Sequence, residues 1–304
     1  MKNSWIFSVI LALLFVFTYF YKRPVEPFFP RLSAAGISPS KLERILQKTE
    51  GSLEKEPVDL LALVDRGVAH FHMGPEFYDE SHDELSQAWR SGAFDKRIFY
   101  YLGILYENLS VFEEAEKQYR RFLNHEPKDL EIRLRLARLK FRLGNWQEAI
   151  DQYGKLVKEN PNDVTSILNF GLAYQFLYKM ESSKKGKYRL SEEKIAELLN
   201  QTLLNFESAS RLNPELPKGI SLALAEAYVS SRAWDKAVRA AETEISKYPG
   251  QNDKEAYKIL AQSYQNLNLS QDLLKTYQKL SSIDPKDRSL PGKIASLKKK
   301  LKVP

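Results

Sequence analysis

One interval governs this sequence. Gly103 and Ala137, Ala115 and Ala149, Tyr119 and Tyr153, and Pro127 and Pro161 are each 34 residues apart. Small, aromatic and Pro positions therefore share a single period. A fixed period of this length marks a supersecondary unit that cannot bury its apolar face alone and must stack on its neighbours. The residue types say what the unit is. A small residue lets a paired helix approach closely, an aromatic fills the space between the two helices, and Pro stops the second one. The chain is thus expected to be all-α. Its 43% hydrophobic and 28% charged residues fit a folded protein and exclude a disordered or collagen-like one.

The period continues on both sides. Phe170-Gly171 with Tyr174 opens a further unit, but its Phe206, Ala209 and Pro214 arrive about twenty residues late. The excess, at about 179–197, contains Ser182-Ser183-Lys184-Lys185-Gly186-Lys187. It is read as a basic loop leading into a lengthened second helix from about Ser191, which can act as its N-cap. Leu224-Ala225 with Tyr228, Trp234, Ala237 and Pro249 forms the next unit. Leu260-Ala261 with Tyr264, Leu273, Tyr277 and Pro285 forms the last. Five clear repeats span 96–287 within a helical domain over 39–304. Upstream, Gly67, Leu85 and Ala88 mark a degenerate repeat over 59–95, interrupted near Met73-Gly74-Pro75. An additional helix is predicted over Pro39–Thr49 and a capping helix over 289–301, with Lys293, Lys298, Lys299 and Lys300 keeping its outer face wet.

Leu102-Gly103 with Tyr106, followed by Ala115, Tyr119 and Pro127, resembles the tetratricopeptide-repeat (TPR) pattern. The resemblance implies a right-handed solenoid of helical hairpins that binds partner peptides on a concave face lined by the first helix of each unit. Carried onto this sequence, the groove would include Val64, Val68 and Phe71, then Tyr100, Ile104 and Glu107, then Leu134, Arg138 and Phe141, then Leu168, Leu172 and Gln175. The last two units would offer Leu222, Glu226 and Val229, then Lys258, Gln262 and Gln265. The set of Lys, Asn and Arg residues with which the family grips a C-terminal carboxylate is not present. Asn169 and Lys258 sit on suitable helices, but Arg135, Ala223 and Ile259 occupy the partner positions. Arg135, Arg138 and Arg142 recur at three- and four-residue spacing and form a stripe on one helix. An apolar groove with a basic edge suits an amphipathic or acidic-hydrophobic peptide. The resulting expectation is a protein-interaction scaffold or adaptor whose partners are other proteins.

The N-terminal segment is of another kind. Trp5 to Tyr21 is an uncharged run preceded by Lys2 and closed by Lys22-Arg23. As a helix it would reach about 25 Å, close to the thickness of a bilayer core, and Trp5, Tyr19 and Tyr21 suit its interfaces. A cleaved signal peptide fits less well, because the best small-residue site, Ser33-Ala34-Ala35, lies too far beyond the run. The expectation is a transmembrane anchor over 1–23, a Pro-containing spacer over 24–38, and a single-pass protein of the cell (inner) membrane with the bilayer as a second partner. Flanking charges are nearly balanced and do not choose a side.

No reaction chemistry is expected. The chain has no Cys, which removes disulfides, thiolate metal sites and Cys nucleophiles. Phosphate loops, nucleophile elbows and His-Glu-x-x-His motifs are missing, so no catalytic residue, cofactor or metal ligand is assigned. The one metal-like cluster joins His70, His72, Glu76, Asp79, Glu80, His82 and Asp83. On a helix His70 and His72 point to different faces, so they cannot share an ion. The net charge of +7 permits an alternative reading as an RNA-binding helical repeat. Mixed acidic and basic residues and the recurring Pro endings argue against nucleic acid.

Overall fold

The computed structural model describes residues 27–32, 36–185, 190–250 and 253–302. These residues form fourteen α-helices and no strand. The chain divides into two compact units, Met1–His125 and Glu126–Pro304.

The first unit contains α1 (Pro39–Lys55), α2 (Leu60–Met73), a 3₁₀ turn (Pro75–Phe77), α3 (Tyr78–Arg90), α4 (Lys96–Asn108) and α5 (Phe112–His125). Helices α2 and α3 pair as one hairpin, α4 and α5 as the next, and α1 packs against α2. Small residues set the pairing distance. A Cβ on Gly67 would meet the Leu85 side chain at 2.7 Å, and one on Gly103 would meet the Tyr119 ring at 2.6 Å. Tyr119 is fully buried against that glycine and donates its hydroxyl proton to Glu107 on the facing helix. Gly74, at φ 128°, makes the turn between α2 and the 3₁₀ segment in a conformation open mainly to glycine.

The second unit runs through α6 (Leu130–Arg142), α7 (Trp146–Glu159), α8 (Val164–Ser183), α9 (Glu192–Leu212), α10 (Ile220–Ser230), α11 (Trp234–Lys247), α12 (Asp253–Asn266), α13 (Ser270–Ile283) and α14 (Leu290–Leu301). They pair in series as α6 with α7, α8 with α9, α10 with α11 and α12 with α13, and α14 packs on α13. Gly171 lies under the Phe206 ring as Gly103 lies under Tyr119, with a built Cβ 2.8 Å from it. Within about 179–197, residues 179–183 extend α8 and 192–197 begin α9, Lys184 and Lys185 are non-helical, and Gly186-Lys187 of the expected loop lie outside the described residues. α8 continues to Ser183, and along this extension Met180 packs against the cluster that holds Ala173 and Leu177. α9 begins at Glu192, where the Ser191 hydroxyl accepts from the Lys194 N–H at 3.3 Å. Both helices of this hairpin are thus lengthened, to 20 and 21 residues.

The membrane expectation requires correction. Among the described residues no helix is long and apolar enough to cross a bilayer, so the single-pass placement and the bilayer as partner lose their support. The run Trp5–Tyr21 lies outside the described residues. α8, the longest helix with an apolar mean, carries Lys179 and Glu181 and alternates buried with exposed positions, as a solenoid helix must.

Candidate functional site

In the first unit the apolar and aromatic residues predicted for the groove are sealed, while Glu107 is half-buried. Val68, Phe71, Tyr100 and Ile104 are all buried. Part of the cover is the chain's own segment 27–32, which has no helical structure and lies against α4 and α5. The Phe29 ring meets Tyr100, Tyr101 and Phe122 edge-on, with centroids 5.3, 6.0 and 6.3 Å away. The Arg31 guanidinium lies over the Tyr100 ring at 4.4 Å, a cation–π contact.

The backbone of this segment is gripped by side chains. Leu32 N–H donates to the Tyr100 hydroxyl at 2.9 Å. The Pro30 carbonyl accepts from the Tyr101 hydroxyl and from His72 Nε2, the latter at 3.2 Å. A carbonyl can only accept, so Nε2 carries the His72 proton. Burial holds the His72 pKa below its ordinary value, against the Pro30 hydrogen bond that raises it. The Phe28 carbonyl accepts from Arg97 Nη1 at 2.8 Å. Arg97 is fully buried, and Asp95 and Asp65 hold it with closest contacts of 2.7 and 2.6 Å. Its burial opposes the charge, but the two carboxylates outweigh that and raise its pKa. Beside the segment an open pocket of about 750 Å³ is walled by Pro27–Pro30, Lys41, Ile45, Lys48, Leu61 and Asp65.

The second unit presents a different face. Leu134 and Phe141 on α6 are half-buried, Leu168 on α8 is buried and Leu172 half-buried. Arg138, between Leu134 and Phe141 on the helix, is exposed and forms no hydrogen bond or ion pair with another described residue. Its charge acts on Tyr153, whose hydroxyl burial pushes up to about 12 while Arg138 pulls it down. The rest of the stripe is engaged, Arg135 with Glu131 at 3.8 Å. Phe141 meets Phe176 edge-on at 5.2 Å, and Trp146 lies 5.9 Å from Phe176, which is 41% exposed. Phe176 and Trp146 are invisible to the sequence pattern because neither occupies one of its groove positions. Further along, the face is closed by polar links. Gln175 Nε2 donates to the Ala223 carbonyl at 2.8 Å, and Lys179 pairs with Glu226 at 2.6 Å.

The histidines are each engaged separately. His70 contacts Glu84 at 2.8 Å, and His82 contacts the Tyr106 hydroxyl at 3.1 Å. Among the described residues no group of three or more His, Asp or Glu side chains is placed to hold a metal ion.

A tetratricopeptide-repeat family profile matches residues 112–169. Among solved structures the chain is similar to the MamA protein, with 20% identity over 64% of this chain and 94% of that one and a TM-score of 0.51. It is similar to a part of Naa15/Naa10 bound to HypK-THB, with 16% identity over 84% of this chain and 37% of that one and a TM-score of 0.54. A thermophilic TPR protein of Thermus thermophilus matches at 24% identity over 67% of this chain and 98% of that one, with a TM-score of 0.41. No curated protein sequence matches. For the first two, at these identities, the likeness is one of fold. The described residues form an all-helical, tetratricopeptide-repeat-like fold of paired helices, and over residues 112–169 the repeat itself is matched.

Proposed function

We propose that this protein is a protein-interaction scaffold, and that its second unit takes an acidic-hydrophobic peptide on the face formed by α6 and α8. The observation that carries this reading is Arg138, an exposed guanidinium with no partner among the described residues, set between the half-buried Leu134 and Phe141. Residues three and four apart share one helix face, so the three side chains form one apolar surface around one cation. The exposed Phe176 ring against Phe141 extends the apolar area. A peptide that places a carboxylate at Arg138 and aliphatic or aromatic side chains to either side satisfies both components. Exposed apolar patches rimmed by charge are typical of interaction sites.

The test is titration of two fluorescein-labelled amphipathic peptides, identical except that acidic residues in one are Lys in the other. The acidic peptide is expected to bind the full chain, and Arg138→Glu to weaken it about tenfold or more, since an attractive pair is lost and a like-charge pair introduced. Circular dichroism is expected to be unchanged, because the side chain is exposed. Equal binding of the two peptides, or equal affinity for the wild type and a folded Arg138→Glu variant, rejects the reading.

A further inference from the structure

The first unit carries a second recognition site that is filled from within the chain. We propose that the inner face of this unit is a receptor for an extended aromatic–Pro–Arg segment, that residues 28–32 occupy it in cis, and that a partner protein bearing the same pattern docks there by displacing them. The proposal stands apart from the peptide face of the second unit.

Three features of the contact are those of a bound peptide rather than of a folded element. The segment makes no backbone ladder or helix, so its polar backbone groups are met one by one: Phe28 O by Arg97, Pro30 O by Tyr101 and His72, and Leu32 N–H by Tyr100. Its side chains alternate in function, with Phe29 entering the ring of Tyr100, Tyr101 and Phe122 and Arg31 lying across Tyr100. Two receptor groups also have partners outside the segment: Arg97 pairs with Asp65 and Asp95, and His72 Nε2 lies 3.1 Å from the Tyr101 hydroxyl. Pro30 presets an extended backbone, so any peptide with the same Phe-Pro-Arg core loses little freedom on binding. The chemistry thus specifies the partner: an aromatic side chain, a proline and a cation in extended succession.

A tethered occupant competes at a millimolar-scale effective concentration, so the intact chain is expected to bind a free peptide weakly. The experiment measures fluorescence anisotropy of a labelled Pro-Phe-Phe-Pro-Arg-Leu peptide against the full chain and against Phe29→Ala/Arg31→Glu, which disables the internal segment. The double variant is expected to bind about tenfold or more tightly than the wild type, in proportion to the open fraction gained. A sequence-reversed peptide is expected not to bind, and adding Tyr100→Ala to the double variant is expected to abolish the gain. A folded double variant that binds the peptide no better than the wild type, or no better than it binds the reversed peptide, overturns the proposal. Should the double variant lose helicity, saturating peptide is expected to restore it by mass action, and failure to do so also overturns it. A wild-type dimer held by exchanged segments would replace the cis arrangement with self-association and refute the proposal as stated.

Discussion

At Gly103 a single hydrogen stands where a methyl group would lie 2.6 Å from the Tyr119 ring. The ring cannot retreat, because Tyr119 is fully buried and its hydroxyl is bonded to Glu107. Gly103→Ala is therefore expected to destabilise the first unit by about 1–3 kcal/mol, the usual penalty of an overpacked core, even though Ala is the better helix former. Urea unfolding followed by circular dichroism measures it, and an unchanged or raised midpoint would contradict the packing. The equivalent position holds Ala137, which is fully buried in one cluster with Tyr153. This pairing of small with aromatic residues is legible in the sequence, because both partners recur at one interval. Arg97 is not. Its partners Asp65 and Phe28 lie 32 and 69 residues away, and nothing in a local pattern announces a buried guanidinium. The same holds for the cover on Tyr100. A Pro-containing stretch reads as a spacer until Phe29 and Arg31 are seen against the rings.

At the scale of the helix, Pro marks the stop of each second helix from α5 onward, but the period also carries the residue that starts the next one. Asp129 and Asp163 stand two residues after Pro127 and Pro161 and share the 34-residue step. Asp129 accepts from the Ile132 N–H at 2.9 Å, and Asp163 from the N–H groups of Thr165 and Ser166 at 3.2 and 3.3 Å. Asp59 and Asp95 do the same for α2 and α4, at 3.0 and 2.9 Å. One short segment thus ends a helix and caps its successor. An N-cap carboxylate satisfies an orphan amide and complements the helix dipole, so Asp129→Ala is expected to cost about 1 kcal/mol and Asp129→Asn only a fraction of that. Thermal unfolding of the two variants checks it; equal losses would show that charge rather than capping carries the effect. Boundaries are less legible where the period breaks. Met180 and Leu198 on the lengthened α8 and α9 both pack against the cluster of Ala173 and Leu177, a placement that no 34-residue step predicts.

At the scale of the whole molecule, stacked hairpins derive their stability from each repeat and its nearest neighbours, so an end is the weakest place and a cap protects it. In the second unit that cap is α14. Leu290 is buried in one cluster with Ala261, Leu273, Tyr277 and Leu280, and Ile294 and Leu297 pack against it half-buried. Three of its lysines, Lys298, Lys299 and Lys300, fall in the last turn, where cations complement the helix C-terminus. Deleting residues 289–304 removes about one full and two partial aliphatic side chains from that cluster, which corresponds to about 3–6 kcal/mol of lost burial. The loss is expected to be local. Amides of α12 and α13 should lose hydrogen-exchange protection, while those of α6 to α9, which share no contact cluster with α14, should keep theirs. A drop in protection spread evenly from α6 to α13 would mean that the second unit unfolds as a single block, and the nearest-neighbour description of its stability would then fail.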